Sequence, residues 1–326
     1  MTGVALVGLG DIGQVHLRAL RGSARVRLVA LCDRDPALLQ DSASEEDITE
    51  EFSELLGRDD VDLVDICLPH DLHAPLAIMA LEAGKHVLLE KPMAMTVAEC
   101  DDVLAAAREA DRHVGVSHNQ LFYEPHRILA QMIESGRVGK VRSIRARLAI
   151  GGSYGAWRAD PVQAGGGLLI DAGVHRVYVM QMLGGPVVAV SAVMDRPGEE
   201  ASFSVALEFA DGTIGTIDAT YEGPAGLFDD QVELVGSEAI VEVPGCEAHF
   251  EGFATGPQLR VWQGGRWSDH DVSDTWDDSV IRSVEAAVSA VDDGRPPPVD
   301  GNAGRETVRV IEAAYQSART GQKIAL

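Results

Sequence analysis

The apolar positions in the first third of the chain fall into short, nearly unbroken runs: 4–10 (VALVGLG), 25–33 (RVRLVALCD), 61–69 (VDLVDICLP), 85–92 (KHVLLEKP) and 112–120 (RHVGVSHNQ). Runs this short and rich in β-branched residues suit strands buried on both faces of a parallel sheet. Between several of them the apolar period lengthens to that of a helix, most clearly over 74–84 (APLAIMALEAG) and 96–110 (TVAECDDVLAAAREA). Gly84 stands where a helix C-cap is expected, and Thr96 with Glu99 three residues later forms a capping box. Strand and helix in alternation predict a doubly wound α/β domain with a parallel sheet.

Past residue 120 the pattern changes. A helical stretch over 125–140 ends near Gly136 and gives way to longer alternating segments at 141–150, 187–195, 202–221 and 231–243. Asp211-Gly212 and Gly236-Ser237 sit between alternating runs as hairpin turns, so this part is expected to be α+β on a mostly antiparallel open sheet. The expected domains are 1–120 for the first and 121–326 for the second. The last helix, about 304–320, is a candidate to pack back on the first domain.

Composition narrows the function classes. With 46% apolar and 24% charged residues the chain reads as an ordinary globular protein, and no apolar run reaches the ~20 residues of a membrane span. The opening MTGVALVGLG lacks the cationic start and cleavage site of a signal peptide. A net charge of -24, from 51 acidic against 27 basic residues, disfavours nucleic acid and anionic membranes as partners. Cys32, Cys67, Cys100 and Cys246 show no CxxC spacing, and Cys32 and Cys67 lie in apolar segments, so a reducing cytoplasm is expected. No HxH, HExxH or clustered Cys/His pattern appears, and no metal is expected.

The sequence GLGDIG places Gly8, Gly10 and Gly13 directly after a strand and, with Asp11 and Ile12, at the start of a helix. Glycines there permit a tight turn, close approach of backbone to a pyrophosphate, and close packing of helix on strand; the helix N-terminus adds amide N–H groups. Asp33 follows Gly10 by 23 residues, at the end of the next strand, where a carboxylate accepts hydrogen bonds from the adenosine ribose hydroxyls. The bland alternative for Asp33 is a helix N-cap ahead of Asp35-Pro36. A carboxylate at this position repels a 2′-phosphate and favours NAD over NADP, although the neighbouring Arg34 is able to swing toward such a phosphate.

Two further stretches carry candidate chemistry. Lys91 directly follows an apolar strand and precedes Pro92, at the end of the sheet where ligands bind, so its ammonium is a candidate to stabilise charge on a reacting oxygen. The segment 165–178 (GGGLLIDAGVHRVY) runs three glycines into a helical pattern bearing Asp171, His175 and Tyr178 at intervals of four and three, which on an α-helix point the same way.

These motifs resemble the Gfo/Idh/MocA oxidoreductases, the family of glucose–fructose oxidoreductase and inositol dehydrogenase. The resemblance spans the chain and rests on GLGDIG with His16 after it, CLPHDLHAP (67–75), EKP (90–92), AWRADPVQAGGGLLIDAGVH (156–175) and YQSARTGQKIAL (315–326). It implies an NAD-binding Rossmann domain, a second α+β domain that often serves homodimer or homotetramer assembly, and hydride transfer on a sugar, cyclitol or related alcohol. By the same resemblance Lys91, Asp171 and His175 are catalytic. Pro69 and His73 fall near the nicotinamide, and Glu90 at a ribose-contacting strand end. Asn119, Arg158, Asp160 and Tyr178 fall in segments that approach substrate. Where inositol dehydrogenase-like members carry an aspartate three residues after the histidine, this chain has Tyr178, which leaves the substrate open.

The leading expectation is an NAD-dependent dehydrogenase of a sugar or cyclitol secondary alcohol, with His175 as base. The alternatives are a reductase of a nucleotide-linked, deoxy or amino ketosugar, redox-assisted glycoside cleavage, and a non-catalytic NAD-binding regulator. The regulator is disfavoured because Lys91 and His175 are both retained.

Overall fold

Six parallel strands form the first sheet: β1 (Thr2–Val7), β2 (Val26–Cys32), β3 (Asp47–Thr49), β4 (Leu63–Ile66), β5 (His86–Glu90) and β6 (Val114–Ser117), in the order β3-β2-β1-β4-β5-β6. The order reverses between β1 and β4, and the carboxyl ends of strands at such a reversal frame the ligand crevice of doubly wound sheets. Val4, Ala5, Leu6, Val64 and Ile66 are fully buried in the two central strands. The computed structural model describes residues 1–152, 155–245 and 257–326, so Cys246 lies outside the described residues. The chain divides into two units, Met1–His118 with Val280–Val308 and Asn119–Ser279 with Arg309–Leu326.

In the first unit the helices α1 (Asp11–Gly22), α2 (Pro36–Ser42), α3 (Phe52–Leu56), α4 (His73–Glu82) and α5 (Val97–Ala110) follow the strands. The Thr96–Glu99 capping box opens α5 as expected, and Gly84, at φ 79°, follows the end of α4. All five predicted strands overrun the observed ones at their carboxyl ends, four of them by more than one residue. Pairing stops at Val7, Ile66, Glu90 and Ser117, and the apolar residues beyond belong to loops that carry the glycine motif, Pro69, Lys91 and Asn119. The short β3, α2 and α3 were not legible as periodic patterns.

Among the described residues the second unit has nine strands: β7 (Val141–Ile150), β8 (Val187–Met194), β9 (Ser202–Phe209), β10 (Ile214–Thr220), β11 (Phe228–Gly236), β12 (Ile240–Val243), β13 (Arg260–Gln263), β14 (Arg266–Asp269) and β15 (Ile324–Ala325). They lie in the order β14-β13-β12-β11-β7-β10-β9-β8-β15, antiparallel apart from the β7–β10 pair. The Asp211-Gly212 turn joins β9 to β10, with Gly212 at φ 87°, and Gly236-Ser237 joins β11 to β12. Among the described residues, the α-helices α6 (Glu124–Glu134), α7 (Pro161–Ala164) and α8 (Val174–Gly184) belong wholly to this unit. Ile144, Ala146, Leu148, Ile217, Val232 and Leu234 are buried on the sheet, with α8 packed on β7 and β10. The alternate positions carry the ion pairs Arg145–Glu233 and Arg147–Asp229. The last two helices, α9 (Trp276–Asp292) and α10 (Gly301–Thr320), run through the points where the chain passes between units. Among the described residues no helix is long and apolar enough to cross a membrane.

The helix expected over 165–178 differs from a plain α-helix. Leu169–Gly173 forms a π-turn and α-helix begins only at Val174. The wider turn shifts Asp171 round the axis relative to His175, so the intervals of four and three do not describe a single α-helical face. Asp171 is buried, whereas His175 and Tyr178 are half-buried.

Candidate active site

In the first unit the glycine loop is shaped by contact at two positions and by openness at a third. Gly8 has φ +91°, and a Cβ on it would lie 2.1 Å from the carbonyl oxygen of Cys67. A Cβ on Gly13 would lie 2.0 Å from the oxygen of Gly8, so α1 starts pressed against the turn. Gly10 is exposed, and a Cβ there would meet nothing within 4 Å of protein. It is the N-cap of α1 without a side-chain capping bond, which leaves first-turn N–H groups of the kind that bind anions.

Asp33 ties this loop to the end of β2. Its Oδ2 accepts the Leu9 N–H at 2.7 Å and its Oδ1 accepts the Asp35 N–H at 2.9 Å. The N-cap of α2 is Asp35, which accepts from Ala37 N–H, so Asp33 is not the cap. The half-exposed Asp33 carboxylate keeps lone pairs for further donors, and Arg34 is exposed. An open Gly10, an uncapped helix start and a carboxylate at the end of β2 together fit a dinucleotide. Asp11 is exposed and Ile12 half-buried beside it.

The Glu-Lys-Pro turn leaves β5 through a cis Lys91–Pro92 peptide. His73, fully buried at the start of α4, spans this turn and the Leu68 loop: Nδ1 is 2.7 Å from the Pro92 carbonyl and Nε2 is 2.8 Å from that of Leu68. Burial pushes its pKa down, the two carbonyl contacts oppose that shift, and the ring ties the loops together as a strut. Pro69 starts the short turn His70–Leu72 between those loops. Glu90 is 6% exposed, with Oε1 at 3.1 Å from His16 Nε2 and Oε2 accepting the Lys91 N–H at 3.2 Å. Both oxygens of its carboxylate are therefore tied into the fold. Lys91 is half-buried.

His16 also stands 2.8 Å from Asp65 Oδ2 through Nδ1, and Cys67 lies beside them, with ligand-type atoms of all three within 4.8 Å of one another. Each His16 ring nitrogen is already engaged by a carboxylate, and burial pushes the Cys67 thiol up to about 12. The cluster is thus an ion-paired core with its donors satisfied.

In the second unit Asp171 is clamped from two sides. Arg158 Nε donates to its Oδ1 at 3.2 Å and the Tyr221 hydroxyl donates to its Oδ2 at 2.7 Å. Arg158 itself stacks over the Trp157 ring at 4.5 Å. The glycines ahead of Asp171 are required by packing: a Cβ on Gly166 would lie 2.5 Å from the Tyr315 hydroxyl, and one on Gly167 would lie 2.4 Å from the backbone of Glu200. Glu200 anchors the start of the π-turn, accepting from Leu169 N–H at 2.8 Å and Tyr315 OH at 3.0 Å. Burial raises its carboxyl pKa.

The structure brings Arg158 and Asp171 together but gives Asp160 a different part. Asp160 caps α7 through Val162 N–H and bonds Gln163. Asn119 donates to Ser279 Oγ at 2.7 Å, and its buried Oδ1 has no hydrogen-bond partner among the described residues. Tyr178 stands one turn beyond His175 on α8. Sequence reasoning missed Tyr221, Glu200, Tyr315 and Asp65. Only Asp65 left a signal, a carboxylate inside an otherwise apolar strand.

A Rossmann unit with this glycine loop, followed by an open-sheet unit, defines the class. The chain belongs to the Gfo/Idh/MocA oxidoreductases: residues 2–118 match the "Oxidoreductase family, NAD-binding Rossmann fold" and residues 130–326 its "C-terminal alpha/beta domain". It is 33% identical over 239 residues to a 1-carboxy-3-chloro-3,4-dihydroxycyclohexa-1,5-diene dehydrogenase of Comamonas testosteroni, a match spanning 70% of this chain and 60% of that relative. It is 27% identical to an inositol 2-dehydrogenase of Rhizobium meliloti, over 98% of each chain. The crystal structure of GenD2 from gentamicin A biosynthesis in complex with NAD superposes with a TM-score of 0.84 at 29% identity, covering 100% of this chain and 96% of that one.

Proposed function

We propose that the protein is an NAD-dependent dehydrogenase of a secondary alcohol on a ring that carries neighbouring hydroxyls, a cyclitol or cyclic sugar. The observation that carries this reading is Asp171, held by Arg158 and Tyr221 one turn ahead of His175. A carboxylate held on two sides is a fixed acceptor for a substrate hydroxyl, and the imidazole of His175 is suited to take a proton. The names of two relatives point to the same substrate class, an inositol and a dihydroxycyclohexadiene.

When bound, NAD supplies the hydride acceptor. His175 accepts the hydroxyl proton, Asp171 orients the hydroxyl-bearing ring, and Lys91 stabilises negative charge on the reacting oxygen. Asp33 and the loop at Gly8, Gly10 and Gly13 hold the dinucleotide. Asn119, with its unsatisfied buried carbonyl oxygen, and Tyr178 are proposed to contact substrate.

The test is a panel of cyclitols, free sugars and amino sugars with NAD, read by NADH absorbance, on the parent and His175→Asn. Oxidation by the parent should rise with pH as the imidazole becomes neutral, and the variant should lose that rise with most of the rate. A parent that turns over no member of the panel would favour the regulator reading.

The oligomer belongs to the same proposal. Val188, Val193 and Ile214 are 40%, 75% and 57% exposed on β8 and β10. A second copy of the chain is the proposed cover for the open face of this sheet, giving a homodimer or homotetramer. Light scattering should return a multiple of 34.7 kDa; the monomer mass alone would contradict it. The buried thiols of Cys32, Cys67 and Cys100 suit a reducing cytoplasm.

A further inference from the structure

His16 is the part of the glycine motif that dinucleotide binding does not use. Its ring is fully buried between Asp65, also fully buried, and Glu90. Both neighbours are carboxylates, and a carboxylate only accepts, so an imidazole that satisfies both must donate from both nitrogens. That is the imidazolium form. An imidazolium there also offsets one of the two negative charges held in the core.

The titratable groups facing His16 are Asp65 and Cys67 from β4 and its end, and Glu90 from β5. Lys91, His73 and His118 each feel the Glu90 charge. Burial works against charge on His16, yet the Asp65 carboxylate prevails and its pKa lies well above the ordinary imidazole value. Burial would likewise raise Glu90, and the His16 hydrogen bond instead holds it below the usual carboxylate range. His118, whose ring lies within this field, is pushed down to about 3 by burial and stays neutral.

We infer that His16 is a positioning residue for the Glu-Lys-Pro turn: as an imidazolium bonded to Asp65 and Glu90, it fixes the Glu90 carboxylate against the main chain of Lys91. Asp65 orients the ring, the ring orients Glu90, and Glu90 Oε2 takes the Lys91 N–H. His73 grips the same turn from the Pro92 carbonyl. The consequence for turnover rests on the proposed role of Lys91 at the reacting oxygen. The charge state and the grip on the turn do not.

Three measurements on the full chain test this. In protein labelled with [15N]histidine, one of the ten rings should keep both nitrogens protonated far above the pH at which ordinary imidazoles titrate. A spectrum in which every ring is neutral at slightly alkaline pH overturns the inference, whatever the protein catalyses. In His16→Gln, hydrogen exchange at the Lys91 amide should accelerate, and an unchanged rate also overturns it. If His16→Gln does not fold, Asp65→Asn serves, since loss of the partner carboxylate should return the ring to ordinary titration; a ring still charged far above that range counts against the relay.

Turnover separates positioning from scaffolding. Misplacing Lys91 should lower kcat on the order of 100-fold, with NADH affinity within a few-fold. Without its cation Glu90 returns toward the raised pKa that burial imposes. His16→Gln should therefore gain an acid limb, the rate falling as pH drops and Glu90 takes a proton. Adding Glu90→Gln should abolish that limb. A variant that merely loses folded protein lowers the rate without a new limb. A parent active on the panel with an unaltered kcat and pH profile in His16→Gln sinks the inference and leaves the dehydrogenase reading intact. A parent inactive on the whole panel sinks that reading, and the ring-nitrogen spectrum and amide exchange still decide the inference.

Discussion

The Tyr221 hydroxyl donates to Asp171 Oδ2 at 2.7 Å while Arg158 faces the other carboxylate oxygen. The two contacts leave Asp171 one orientation, and it sits in a π-turn that puts it on a different bearing from His175. Tyr221→Phe keeps the ring and removes one hydrogen bond to a charged group, about 1.5–3 kcal/mol of interaction. Turnover should drop about tenfold or more. Steady-state kinetics beside thermal melting checks this; an unchanged kcat would show that Arg158 alone fixes the carboxylate.

Gly10 and Gly13 should separate under substitution. A Cβ at Gly10 meets no protein atom within 4 Å, so Gly10→Ala should leave the melting temperature of the cofactor-free protein unchanged. It should still weaken NADH binding, because the methyl intrudes where the pyrophosphate approaches. Gly13→Ala drives a Cβ to 2.0 Å from the Gly8 oxygen and should lower both stability and binding. Melting curves with NADH fluorescence titration distinguish them, and equal losses of stability would contradict the assignment of Gly10 to the cofactor.

Asp33 carries two roles, repelling a 2′-phosphate and holding Leu9 N–H in the glycine loop. Asp33→Ala should raise KM for NAD and narrow the preference over NADP, with the exposed Arg34 free to meet the phosphate. The ratio of kcat/KM for the two cofactors is the measurement. A parent that uses NADP as well as NAD would contradict the role given to this carboxylate.

Much of this was legible in the sequence, for reasons tied to particular elements. The continuous apolar runs of β1, β4 and β5 identified the parallel sheet because both of its faces are buried. The same continuity hid where strands end, since Leu9, Leu68 and Pro92 extend the apolar signal into the loops that carry the site. The glycines at 165–167 were visible as a motif, but their cause was not. They make room for Glu200 and Tyr315, which are far along the chain and whose contact with the glycines no local pattern announces. Tyr221 was invisible for the same reason, as one polar residue at the end of β10. The π-turn under Asp171 could not be read at all, because its residues have ordinary helical periodicity.

Lys91 carries the central claim, since a lysine that acts on the reacting oxygen contributes mainly in the transition state. Lys91→Met keeps much of the apolar stem, so packing loss should be small. NADH titration by fluorescence should be run beside turnover on the best substrate of the panel. NADH binding should stay within a few-fold of the parent, while kcat should fall on the order of 100- to 1,000-fold, about 3–4 kcal/mol of barrier. Turnover surviving within a few-fold in Lys91→Met would contradict the account.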